Sequence, residues 1–510
     1  MNRTKKILLF CLLDWQLASL AFSTENNSVV FDSAQPVFST FSTDTVNFNL
    51  LSQQPQNECQ VSGQKTWSEK KHPLAALTAA TGFNILLSSY NRFVIRTGWA
   101  TVGAEDFDKF WEKKPEWDPD WYWTNFFLHP YQGAQYYMAS RGSNLGCASS
   151  FAVTFLGSLM WEYLCESTPP SINDQVYTSI GSFCVGEMFY RLSQEADSLN
   201  HLFALAVNPQ RLWTEHVWQI KQKSTSGNIN FLSLGFQLGN YTGITKTHGS
   251  GNLASSQTEI FPVLAGINFD TEYGDPYSHD SNKPFSQFTL SVSGEIGAGS
   301  GISGPCAYEE LDKKLGYAIR IFSDGMMFAR TVNFGGSRQA SLGMTMIYDF
   351  NWHSSYMISS LAPGFAFKEK INFPSGDLKY QLQLAGILLG NTDFIYFHRN
   401  VKYTAGRTYS YTTGFQSILK SSYCWNSGHS INFAFRGYAM YDFEHQKQSG
   451  ADTGWEYIGL LSASYEIPLS KTVRLGFQEE LYGKAAVYKE LPFASKVFNN
   501  AKIYAKLQLK

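Results

Sequence analysis

The sequence predicts an α+β chain, an N-terminal helical block followed by an antiparallel transmembrane β-barrel of about 12 strands, and three observations predict it. Apolar and polar residues alternate over much of residues 225–510. The chain opens on a secretory signature. Charged residues make up 16% of the chain and aromatics another 16%, a balance suited to a surface that meets lipid.

The alternation is the primary signal. In FTLSVSGEIGA, Phe288, Leu290, Val292 and Ile296 share one face while Thr289, Ser291, Ser293 and Glu295 share the other. In VRLGFQEELYGKAAV, Val473, Phe477, Leu481 and Val487 oppose Arg474, Gln478, Glu480 and Lys484. The last residues repeat it, with Ile503, Ala505, Leu507 and Leu509 set against Tyr504, Lys506, Gln508 and Lys510. A soluble antiparallel sheet would produce the same alternation, with one face on a core. About a dozen such segments, each of roughly ten or more residues and joined by turns such as NFPSGD and WNSGHS, favour a membrane barrel. Its polar parity would line a wet lumen, which the fold requires whether or not it conducts.

Residues 1–23 read as a signal peptide: Arg3, Lys5 and Lys6 precede an apolar run, and Ala21-Phe22-Ser23 offers a small-residue cleavage site. Residues 24–74, rich in Ser, Thr, Asn and Gln, read as a flexible polar linker. Residues 75–214 carry helical periodicity and form the helical domain, and the barrel occupies 225–510. A formal net charge of −2 argues against nucleic acid as a partner. No Cys-x-x-Cys pair occurs, so a cysteine zinc site is not expected. Cys147 and Cys165 fall on one predicted helix, about 27 Å apart at the standard rise, and cannot bridge. Cys165 and Cys184 sit on consecutive helices and are a candidate disulfide.

The helical block holds the candidate chemistry. The run from Leu145 to Trp161 is uncharged but short and serine-rich for an inner-membrane span, so a helix packed in the lumen or under the barrel is expected. On that helix Glu162 and Glu166 stand at i and i+4, which puts two carboxylates on one face. With His129 they would hold a hard metal ion or serve as an acid/base set. The bland reading pairs them with Arg141, Arg191 or helix N-termini, and it is favoured because no spacing such as His-Glu-x-x-His occurs. Asp174 follows Ser171 by three positions, the pattern of a capping box. Glu187 and Arg191 are an i,i+4 pair in the favourable order. Trp111, Trp117, Trp121 and Trp123 suit either a membrane interface or an aromatic core. No nucleophile elbow, phosphate-binding loop or dinucleotide fingerprint is present, and no cofactor is expected beyond a divalent cation at the carboxylates.

The runs TNFFLHPYQGAQYYMASRGSNLG, GSLMWEYLCESTPPSIND and GSFCVGEMFYRLS resemble an uncharacterised bacterial family, domain of unknown function 3943, as do NFDTEYGDPY, KPFSQF and IYDFNWHSS further on. The resemblance implies an exported N-terminus, a helical block and an outer-membrane barrel, and it implies no reaction. The leading expectation is therefore an outer-membrane barrel with a helical plug or accessory domain, in a structural or transport-type envelope role. Outer-membrane lipid would surround it, and envelope partners would meet residues 24–74. The alternative is a membrane-embedded hydrolase of lipid or glycolipid, with Glu162, Glu166 and His129 holding a divalent cation or activating water. Envelope scaffolding is a third class.

Overall fold

The computed structural model describes residues 70–106, 112, 114–249, 254–300, 315–335, 337–396, 408–443 and 452–510. The expected signal peptide, the linker through residue 69, Trp111, Cys59 and Cys306 lie outside the described residues.

Twelve strands follow the helices: β1 (Ile229–His248), β2 (Ala254–Tyr273), β3 (Phe288–Ser300), β4 (Leu315–Asn333), β5 (Arg338–His353), β6 (Met357–Phe373), β7 (Gly376–Asp393), β8 (Tyr409–Trp425), β9 (Ser430–Asp442), β10 (Gly454–Pro468), β11 (Val473–Tyr488) and β12 (Ala494–Gln508). Each pairs antiparallel with its sequence neighbours, and β1 pairs with β12, from Ser233 against Gln508 to Thr247 against Ala494. The sheet is a closed barrel without edges. Odd-numbered strands start at one rim, where β12 also ends, and even-numbered strands start at the other. The first rim has the connection 274–287 and the short turns 334–337, 374–375, 426–429 and 469–472, while at the second 354–356 joins β5 to β6 and 489–493 joins β11 to β12.

Because successive strand residues point to opposite faces, the wall builds two separate cores. Inward residues from around the barrel, among them Tyr241, Phe261, Ile347, Tyr356, Ile418, Tyr438, Ile458, Tyr482 and Phe498, pack together in the lumen. Outward residues such as Phe236, Leu238, Phe433, Tyr457, Phe477 and Ile503 are exposed. On β5 the two environments interleave. Ile347 belongs to the lumen core, and Tyr348 and Phe350 belong to a core that contains the helices.

The helical block comprises α1 (Pro73–Tyr90), α2 (His129–Gly142), α3 (Cys147–Leu164), α4 (Ile172–Val176), α5 (Ser182–Leu199) and α6 (His201–Val207). Proline at the first turn opens α1 and α2, where its missing N–H costs nothing. One-turn π segments run into α2 from Thr124–Leu128 and join α4 to α5 through Tyr177–Gly181. Ser171 caps α4, its side chain accepting from the Asp174 N–H, while its own N–H goes to Glu162 rather than to Asp174, so the N-cap half of the expected capping box is formed. Cys165 and Cys184 are both buried and do not bridge each other, so the candidate disulfide is not formed.

The helices do not enter the lumen. Tyr122, Phe126, Tyr177, Cys184 and Met188 pack on the outward side chains Tyr273, Phe288, Leu290, Tyr348, Phe350, Met357, Leu361, Leu389, Tyr409 and Tyr411. Phe288 opens β3 at the first rim and Tyr409 opens β8 at the second, so the block crosses the outer wall from rim to rim. The expected plug, and the expected lumenal or underlying position of the Leu145–Trp161 helix, are thereby corrected. The physical reason is that the lumen is already filled by the wall's own side chains, while β3–β8 present aromatic rings on the outward parity. Tyrosine hydroxyls fix the docking. Tyr122 Oη donates to Asn351 O at 2.8 Å, Tyr348 Oη to Phe126 O at 2.6 Å, and Tyr411 Oη to Asp118 O at 2.8 Å.

Phe126 is fully buried between Tyr177, Tyr409 and Tyr411. Phe126→Ala is expected to cost about 3–5 kcal/mol of docking stability. Limited proteolysis in detergent should then release the helical block while the barrel stays resistant; unchanged cleavage would show that the contact does not hold the block.

Candidate functional site in the helical block

All seven charged or histidine candidates lie in the helical block, in two clusters. The first is centred on Glu187 of α5, which is fully buried. It accepts from Arg141 Nε at 2.7 Å, Arg191 Nε at 2.9 Å and Tyr137 Oη at 3.0 Å. Arg141, on α2, also donates to Leu145 O at 2.5 Å and stacks over Tyr190 with 4.7 Å to the ring centre. Arg191 donates to Pro284 O in the β2–β3 connection at 2.8 Å. Glu187 thus ties α2 to α5, and through Arg191 ties both to the barrel. The i,i+4 pairing of Glu187 with Arg191 is present, and the second arginine comes from another helix.

The second cluster surrounds Asp174. His129 opens α2, and its Nε2 lies 3.6 Å from Asp174 Oδ1, too far for a hydrogen bond. Its Nδ1 is buried without a hydrogen-bond partner. Asn173 Nδ2 donates to Asp174 Oδ1 at 2.7 Å, and Asp118 N–H donates to Asn173 Oδ1 at 2.8 Å. Glu162, buried at the end of α3, accepts the Ser171 N–H at 2.8 Å. Burial first, and then the neighbouring Asp118, Glu162, Asp120 and Glu166, push the Asp174 carboxyl well above the carboxylate range. Burial lowers His129 to about 4. Each shift favours the uncharged form of its group.

Glu166 departs from the expectation of a shared face. α3 ends at Leu164, so Glu166 leaves the helix and accepts from Trp161 Nε1 at 2.5 Å and from Thr168 Oγ1 at 3.1 Å. Glu162, Glu166 and His129 are not gathered as a ligand set. Among the described residues, the His/Glu/Asp donors that converge within 4.8 Å are those of His201, Glu215 and His216. There His201 already meets Asp197 at 2.9 Å and Glu215 at 3.2 Å, and Arg211 meets both acids at 3.0 and 2.8 Å.

The lumen holds a further polar system that the sequence pattern located by parity but did not pair. Lys502 meets Glu295 at 2.6 Å and Glu480 at 2.8 Å, and Arg320 meets Glu480 at 3.0 Å. Arg436 crosses to Asp349 at 3.0 Å, and Lys484 meets Glu456 at 2.9 Å. Near the first rim, Glu466 takes Lys506 at 2.6 Å and Arg474 at 2.7 Å. Rings of Tyr241, His353, Tyr356, Tyr482 and Phe498 stack across the interior.

Residues 114–209 match the family model described as Domain of unknown function (DUF3943), the family whose motifs the helical block carries. No curated protein matches the chain. Several solved structures share low similarity. An outer membrane channel from Pseudomonas putida F1 is 9% identical, with 56% of this chain and 100% of that one covered and a TM-score of 0.30. The Pseudomonas putida toluene transporter TodX is 7% identical, covering 55% and 89%, with a TM-score of 0.23. The outer membrane protease OmpT from Escherichia coli is 6% identical, covering 56% and 99%, with a TM-score of 0.23.

Two substitutions separate structural from chemical roles. Glu187→Ala leaves Arg141 and Arg191 buried without their acid and is expected to cost about 3–5 kcal/mol in denaturant unfolding. Asp174→Asn mimics the neutral acid and should change stability by no more than ~1 kcal/mol at neutral pH. Folding raises the Asp174 value, so its stabilising share is complete below the usual carboxylate value of about 4 and is lost as pH rises through the raised folded value. Asp174→Asn should abolish that pH-dependent loss. A collapse of Asp174→Asn at neutral pH would instead show that the site needs an anion.

Proposed function

We propose that the chain is an integral outer-membrane β-barrel with a closed lumen, serving a structural envelope role in which the barrel anchors and displays the helical block. The observation that carries this reading is the occupied interior. Ion pairs run from β3 to β12 and from β5 to β9, and the aromatic stack fills the space between them. Beside Tyr241, Arg320, Tyr356, Glu480 and Tyr482 lies a cavity of about 60 Å³, room for a few waters.

Membrane residence is supported by the mostly apolar outward parity of β1 and β9–β12, where Asn499 donates to the one outward acid of β11, Glu479, and by Trp425 and Tyr465 near one rim and Trp455 and Tyr441 near the other, where interfacial aromatics belong. Short turns between β4 and β5, β6 and β7, β8 and β9, and β10 and β11 favour a periplasmic position for the first rim, although 274–287 at that rim is longer. A transport role would require the lumenal ion pairs to part. Nothing in the helical block favours the hydrolase reading, because Glu162, Glu166 and Glu187 already accept from the chain's own donors.

Planar-bilayer conductance of the refolded chain tests the closed lumen. The unmodified protein is expected to add no steady current. A Lys502→Ala, Arg320→Ala variant, which strips the cations from Glu295 and Glu480, is expected to leak cations. Resolved channel openings by the unmodified protein would overturn the closed reading in favour of transport.

A further inference from the structure

Resting on the membrane reading above, we infer that the helical block itself lies in the bilayer, with the outer surfaces of α1 and α3 facing lipid acyl chains. The block covers the outward face of the wall between its two rims, so it occupies the height at which the neighbouring bare strands meet lipid. Its outermost layer is formed by α1 and α3, since α2 is almost wholly buried and α5 packs on the barrel. That layer has the surface of a lipid-facing element. α1 contains no charged residue over 18 positions and exposes Leu74, Leu77, Ile85 and Leu86, the last two at 60% and 58%. α3 exposes Phe155 and Leu156, and its one acid, Glu162, is buried. Basic residues bracket α1 at both ends, Lys70 and Lys71 before it and Arg92 and Arg96 after it, where their side chains can reach headgroups.

The packing inside the block agrees. Helices that associate in lipid lack a hydrophobic drive and meet through small residues and interhelical hydrogen bonds. α1, α2 and α3 meet in that manner. Asn84 of α1 donates to Gly157 O of α3 at 2.9 Å and accepts from Tyr136 of α2, which in turn accepts from Gln132 at 2.6 Å. A methyl at Gly157 would stand 2.9 Å from the Tyr136 ring, and one at Gly186 2.9 Å from Tyr137 Cβ. No helix among the described residues is long and apolar enough to cross a membrane alone. The block resides there as a folded unit seated on the barrel.

Photolabelling of the full chain in phosphatidylcholine vesicles doped with phosphatidylcholine bearing a mid-chain diazirine tests this. Peptides containing Ile85, Leu86, Phe155 and Leu156 are expected to carry lipid adducts in yields matching those on Phe433, Tyr457 and Phe477 of the bare wall. Adducts on the wall with none on α1 and α3 would place the block in water and overturn the inference while leaving the membrane barrel standing. Adducts on neither would overturn both. Chain-to-chain cross-links from a benzophenone at Leu86, in place of lipid adducts, would assign the face to a second copy and overturn it as well.

Discussion

Everything in this structure depends on the two-residue period of the strand, which forces each strand to serve two environments at once. On β5, Ile347 and Asp349 enter the lumen while Tyr348 and Phe350 leave the barrel, and a slip of one residue would exchange them. Each of the twelve strands carries the same obligation. Closure of β1 on β12 brings the inward set together and leaves no unpaired backbone at an edge.

The interior is stabilised by matched charge rather than by apolar mass alone. A lone ion in that setting would be costly to desolvate. The ions are therefore arranged so that acids and bases meet, with Lys502 between Glu295 and Glu480 and Glu466 between Arg474 and Lys506. Glu187 follows the same logic in the helical block, where one acid balances two guanidinium groups and a tyrosine hydroxyl. Asp174 takes the other solution: burial, and then Asp118 and Glu162 beside it, push its carboxyl upward, toward the protonated form.

Much of this was legible in sequence because it is periodic or local. The strand alternation located the barrel, and Ser171 with Asp174 marked the start of α4. What was hidden depends on long-range register. The pairing of Glu295 with Lys502 is set by barrel closure, about two hundred positions downstream, and no spacing rule reaches it. The docking face was hidden for another reason: Met346, Tyr348, Phe350 and Trp352 alternate as lipid-facing residues would, because lipid and an apolar helix ask for the same side chains. The density of tyrosine there was the available clue, since a hydroxyl on an outward face needs a protein acceptor such as Phe126 O. Glu166 was misplaced because its helix stops at Leu164, two residues short of completing the i,i+4 pair.

The helices precede the barrel in the chain, yet the wall they cover runs from β2 to β8. Their seat is thus complete four strands before the last one is laid down. The seam that closes the ring, β1 against β12, lies outside the buried core on which the helices sit, so the seat and the closure are separate parts of the wall.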